Sequence, residues 1–194
     1  GSEMCIRDRA NTLHNCEANQ KWRPICNDGT TPGITELVNN LPDTAITAST
    51  THHGCEPHWA KVSFDEHFAW CASSLTDISD YLEIEFIQSK QLKSVTIYGR
   101  TVYNQYVTSY YFQYSVDGYN FINAYNEDNN DIFIGNANSS KGAHSILNEA
   151  VTAKYVRIVP ITYQGWKSLK IEIFGYEHPC QYKYGGNWLL VRHS

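Results

Sequence analysis

The stretch YVTSYYFQYSVDGYNF, residues 106–121, decides the fold class. Tyr106, Thr108, Tyr110, Phe112 and Tyr114 recur at every second position. Alternate side chains of a strand point to opposite faces, so the spacing predicts one strand with these five on a single face. Asp117-Gly118 follows, and glycine accepts the backbone angles that a tight reversal needs. The segment reads as strand, turn, strand. Tyr110, Phe112 and Tyr114 read as core, whereas Tyr106, where the strand leaves a loop, is open to packing and to ligand contact alike.

The same alternation extends outward in both directions. YLEIEF (81–86) sets Leu82, Ile84 and Phe86 against Tyr81, Glu83 and Glu85. LKSVTIYG (92–99) and YNFINAY (119–125) follow as strands. KYVRIVP (154–160) turns Val156 and Ile158 inward, with Pro160 ending the strand, and SLKIEIFG (168–175) does the same with Leu169, Ile171 and Ile173. AITAS (45–49) is a brief strand, and ITELVNNL (34–41) is a short helical turn or an irregular strand. Loops rich in Asn, Asp, Ser and Gly separate these runs, and no amphipathic helix of ten residues occurs. Short strands with polar outer positions predict an all-β chain of two packed antiparallel sheets, a sandwich or jelly roll.

Composition narrows the function. The 194 residues suffice for one substantial core and an appendage, and 42% of them are hydrophobic. A formal charge of −5, from 15 basic and 20 acidic residues, argues against a non-specific nucleic-acid binder, which needs a positive footprint. No apolar run reaches the roughly 18 residues of a membrane span. The start has charges but no apolar stretch of a signal peptide, and EMCIRDR (3–9) reads as a translated library adapter. On that reading residues 1–9 and Cys5 drop out of the account. The cysteines at 5, 16, 26, 55, 71 and 180 form no C-x-x-C pair, which weakens zinc-ribbon and thioredoxin-like readings. Scattered cysteines and the sequon at Asn138 suit an oxidising setting, secreted or on the outer face of a membrane protein. Neither G-x-S-x-G nor H-E-x-x-H is present, and Glu83 and Glu85 lie on a solvated strand face, so no enzyme is expected.

Taken in order, AITAST, WAKV (59–62), AWCA (69–72), YLEIEF, VTIYGR, YVTSYYFQYSVDG, IGN (134–136), KYVRIVP and LKIEIFGYEHPC resemble the coagulation factor 5/8 type C, or discoidin, domain. The resemblance covers residues 26–180. It leaves 1–25 as an N-terminal segment and 181–194 as the start of a truncated following domain or a tail. It implies an eight-stranded antiparallel jelly-roll sandwich with ligand loops at one end. The implied function is a non-catalytic extracellular binding and adhesion module for a cell-surface or matrix glycan or glycoprotein. Protein or matrix partners and anionic phospholipid head groups are the alternatives, and neighbouring domains in a longer parent are expected. Cys26 with Cys180 is the family's closure, and Cys55 with Cys71 is a local second bridge, with Cys16 left over. Trp70 is implied to be core and Arg157 to form a structural ion pair. Lys61 and Lys170 stand where arginine is common in the family, so any carboxylate clamps there should be looser.

Two loops carry the expected site. TTHHGCEPHW (50–59) holds His52, His53, Cys55, His58 and Trp59, and RTVYNQY (100–106) holds Arg100, Tyr103, Asn104 and Tyr106. The family topology stands these loops side by side. His53, His58, Trp59, Arg100, Tyr103, Asn104 and Tyr106 are therefore the candidate ligand-binding residues, with Trp166 after Gly165. Imidazole and amide groups suit sugar hydroxyls, and indole offers an apolar face to sugar C–H groups. Three histidines and a cysteine could also fill a zinc shell, but a disulfide at Cys55 removes the thiolate. The first loop lacks the adjacent bulky apolar residues that lipid insertion needs. No cofactor is required. A structural calcium is admitted by some sugar-binding relatives and by the oxygen-rich NEDNNDIF run, although hydrogen-bonded turns explain the same residues, and no metal ligands are assigned.

Overall fold

In the computed structural model, residues 33–65 and 67–176 are described throughout, with the backbone of short strands at 24–25, 181–184 and 187–189. In chain order the strands are β1 (Pro24–Ile25), β2 (Thr35–Glu36), β3 (Ile46–Ala48), β4 (Trp70–Cys71), β5 (Leu82–Tyr98) and β6 (Tyr106–Ser115). They continue with β7 (Ile122–Asn123), β8 (Ile132–Ile134), β9 (Ala143–Gln164), β10 (Ser168–Tyr176), β11 (Gln181–Tyr184) and β12 (Asn187–Leu189). The chain divides into a unit of 1–31 with 181–194 and a unit of 32–180. In the first, β11 pairs antiparallel with β1 and with β12. Residues 1–9, Cys16 and the expected Cys26–Cys180 bridge lie outside the described residues.

The larger unit is all-β, and its inward faces are those the alternation predicts. Leu82, Ile84 and Phe86 on β5, Val156 and Ile158 on β9, and Leu169, Ile171 and Ile173 on β10 are fully buried with Trp70, Tyr110, Phe112 and Phe133. Each such side chain contributes roughly 1.5–3 kcal/mol by leaving water. The hydrogen-bonded order is β2-β10-β5-β9-β6-β7, with β3 on β5, β4 on β10 and β8 on β6. The runs 81–86 and 92–99 belong to one strand, β5, whose register with β9 breaks between Glu85 and Lys90 and again between Leu92 and Ser94. Such breaks bend a strand and let one network wrap a core. Among the described residues nine strands stand in this unit against the expected eight, a difference that includes the two-residue edge pieces β2, β4 and β7.

Three local expectations change. First, β6 does not keep one face: Val107 is buried, as are Tyr110 and Phe112, while Tyr106, Thr108 and Tyr114 are half-buried. Register shifts between Val107 and Ser109 and between Ser109 and Tyr110 move the inward set from odd to even positions. Second, Pro160 does not end its strand. It lies opposite Tyr110 at that same irregularity, where a missing N–H is tolerated, and β9 runs on to Gln164. Third, only Ile122–Asn123 of the 119–125 run is strand. The reversal before it forms as read. The Asp117 carboxylate accepts the N–H groups of Tyr119 and Asn120, each at 2.9 Å, and Gly118 has φ of 79°. The Asn120 and Tyr119 donors, then the Asn120 and Ser115 side chains, hold the Asp117 carboxyl far below the usual range.

Candidate functional site

Three buried lysines anchor the loops around the start of β10. Lys61 donates to the Leu41 carbonyl at 2.5 Å and to Asp43 at 2.7 Å. Lys170 donates to the carbonyls of Phe64 and Asp65 at 2.7 and 3.0 Å. Lys167 meets the Asp77 carbonyl and the buried Asp80 carboxylate, the latter at 2.9 Å. A compact ammonium suits converging carbonyls, which explains how lysine serves at 61 and 170. Trp70 is core, and its indole N–H donates to the Thr50 carbonyl at 2.9 Å.

On this base the first loop folds back on itself. The His52 N–H donates to the Cys71 carbonyl at 2.8 Å, and the Cys55 N–H to the His52 carbonyl at 3.0 Å. Gly54, with φ of 77°, makes the turn that no side chain would favour. Cys55 and Cys71 form the expected disulfide, with Cα atoms 5.2 Å apart. That removes the thiolate on which the zinc reading depended. The second loop is closed by reciprocal backbone bonds between Arg100 and Gln105, at 2.7 and 3.3 Å. Asn104 takes a left-handed conformation there and accepts the Ser139 hydroxyl at 3.3 Å.

The two loops enclose a recess of about 450 Å³, with Trp166 completing its wall and Cys55 and Cys71 among its lining residues. His52, His53 and Gly54 line it from the first loop, and Arg100, Tyr103 and Gln105 from the second. The Arg100 guanidinium is fixed on several sides. Its Nε donates to the His67 carbonyl at 3.0 Å, and its Nη1 lies 3.6 Å from the Cys55 sulfur and 3.9 Å from that of Cys71. Its carbon stands 3.9 Å from the centre of the Tyr103 ring, within cation–π range. Trp166 is fixed too, donating through Nε1 to the Ala72 carbonyl at 2.8 Å and meeting the His52 ring edge-on at 5.2 Å.

Of the candidate residues, His53, Arg100, Tyr103 and Trp166 come together at this recess, and four do not line it. His58 packs its ring edge against Phe64 at 5.4 Å and lies 4.0 Å from Asp43. Trp59 stacks on Phe68 at 4.6 Å. Asn104 caps the turn at Thr101–Tyr103, and Tyr106 begins β6 opposite Gln164. His52 and Gln105 also line the recess, beyond the ligand residues that the sequence predicts. The adjacent histidine pair was a signal for the first, whereas nothing local marks Gln105, whose place follows from its bridge to Arg100.

The remaining assigned residues have structural surroundings. Arg157 pairs with Glu83 at 2.6 Å between the rings of Tyr81 and Phe121. The Asn138 side-chain carbonyl accepts the N–H groups of Ser140 and Lys141 at 3.1 and 2.9 Å. In the 126–131 loop, Asn126 accepts the N–H groups of Asp128 and Asn130, so its oxygen serves a turn. Among the described residues no three His, Cys, Asp or Glu side chains converge as a metal-holding group, and no helix is long and apolar enough to cross a membrane.

The sequence profile of the F5/8 type C domain matches residues 44–173. Hemocytin of Bombyx mori is 29% identical over 144 residues, which is 72% of this chain and 5% of that protein. Recombinant discoidin II of Dictyostelium discoideum superposes with a TM-score of 0.60 at 21% identity, over 69% of this chain and 56% of that one. The family 32 CBM of Clostridium perfringens NanJ, solved in complex with galactose, superposes with a TM-score of 0.56 at 14% identity, over 73% and 98%. The fold is thus a discoidin-like β-sandwich. The chain spans well under two thirds of the curated relatives it matches.

Proposed function

The chain belongs to the F5/8 type C domain family, and from that premise we propose that it is a non-catalytic adhesion module that takes a glycan into the recess between 52–55 and 100–105. The observation that carries this reading is the recess itself. An indole, a phenol, imidazoles, an amide and a guanidinium face one shallow space, the indole from Trp166 and the others from two loops closed by backbone bonds and a disulfide. Aromatic surface fits sugar C–H faces, and the polar groups fit hydroxyls. Among the described residues its lining holds no carboxylate pair for acid–base chemistry, and the cysteines there are joined to each other. The galactose bound to the NanJ relative is in keeping with a sugar. We place the module outside the cell, secreted or on a membrane protein, in a longer parent. A cell-surface or matrix glycoprotein is its natural partner, and Asn138 is a glycan acceptor.

A glycan array run beside phosphatidylserine vesicles and immobilised collagen tests the reading. Binding to the array that H53A/Y103A abolishes is the expected result. Binding to vesicles or collagen alone, or array binding unchanged in that variant, contradicts it.

A further inference from the structure

We infer that the recess selects sugars bearing an anionic group, a carboxylate or a sulfate, which docks on the Arg100 guanidinium. This rests on the glycan reading and specifies its ligand class. Although the chain carries a formal charge of −5, no Asp or Glu among the described residues lines the recess. Lys61, Lys154, Arg157 and Lys167 each meet a carboxylate. Among the described residues Arg100 meets none; its partners are the His67 carbonyl, the two sulfurs and the Tyr103 ring.

Those partners hold the guanidinium in place without neutralising it. An oxyanion arriving there finds a preorganised planar donor, the geometry that carboxylate and sulfate groups match with paired hydrogen bonds. The Tyr103 ring and the disulfide flank it on two sides. A neutral sugar can accept hydrogen bonds from the guanidinium but brings no opposite charge to it.

Calorimetric titration of the full chain with galactose, galacturonic acid and galactose 6-sulfate, in low and in high salt, tests the inference. The acidic sugars should bind about tenfold more tightly than galactose, with the difference shrinking in high salt. R100M should erase the difference. If circular dichroism finds R100M misfolded, R100K, which keeps the charge but loses the planar fork, should narrow it instead. Equal affinity for all three sugars overturns the anionic preference and leaves the glycan reading standing. Binding to phosphatidylserine vesicles with none of the sugars bound overturns both.

Discussion

At Tyr110 the fold carries a small defect that a single substitution can expose. The side chain is fully buried against Phe133, and its hydroxyl meets no partner of ordinary hydrogen-bond geometry, although Ser145 stands near enough to favour ionisation slightly. Burial pushes its pKa well above the normal phenol value. Y110F should raise unfolding stability by about 1 kcal/mol in urea titration, since it removes a desolvated hydroxyl and keeps the ring. Lys167 is the opposite case. It and Asp80 are nearly inaccessible and paired at 2.9 Å, so K167M strands a buried carboxylate. The expected loss is about 3 kcal/mol, with much of it recovered in K167M/D80N; a K167M protein as stable as wild type would show that the pair is dispensable.

The same residue-level view decides which aromatics reach the recess. Trp59 and Trp166 are both tryptophans in loops, and composition treats them alike. Their fates differ because Phe68 covers one, while the Ala72 carbonyl fixes the other beside His52. These partners are 9 and 94 residues away, out of reach of any local pattern.

At the scale of the element, alternation was legible wherever a strand lies straight against the core. Leu82, Ile84 and Phe86 show it, as do Leu169, Ile171 and Ile173. It failed at 106–109 because a shift in pairing with β9 reverses the inward side, and pairing is a property of two strands. The length of β9 and its passage through Pro160 were hidden for the same reason. The disulfide is the element-level device that holds the first loop. It closes a sequence separation of 16 and joins the loop to β4. Its removal as C55S/C71S should cost about 3 kcal/mol on the chain-entropy view and weaken ligand binding, because both sulfurs line the recess. Unchanged affinity in a folded double variant would mean that the loop keeps its shape unaided.

Across the whole molecule, several carboxylates brace loops and turns, and they set its response to acid. Asp43 is held below its usual range by the Lys61 ammonium, Asp65 by the His67 backbone N–H, Asp77 by the Ser79 hydroxyl and Asp117 by the Asn120 backbone N–H. A carboxyl with a lower pKa folded than unfolded stabilises the fold above the unfolded value, near about 3.9, and that contribution fades as pH falls through the folded value. Glu36 works in the other direction, since burial raises its pKa. Four against one, the melting temperature should fall once the pH drops below about 4, and a flat profile there would contradict these assignments.

The central claim is that one recess, walled by 52–55, 100–105 and Trp166, is where this module meets its ligand. Amide chemical-shift mapping on isotope-labelled protein tests it most directly, with the strongest array ligand added stepwise. The account predicts perturbations concentrated at His52, His53, Gly54, Tyr103, Gln105 and Trp166. Perturbations gathered instead along the exposed edge at Ile122, Ile132 and Ile134, with these six unmoved, would contradict it.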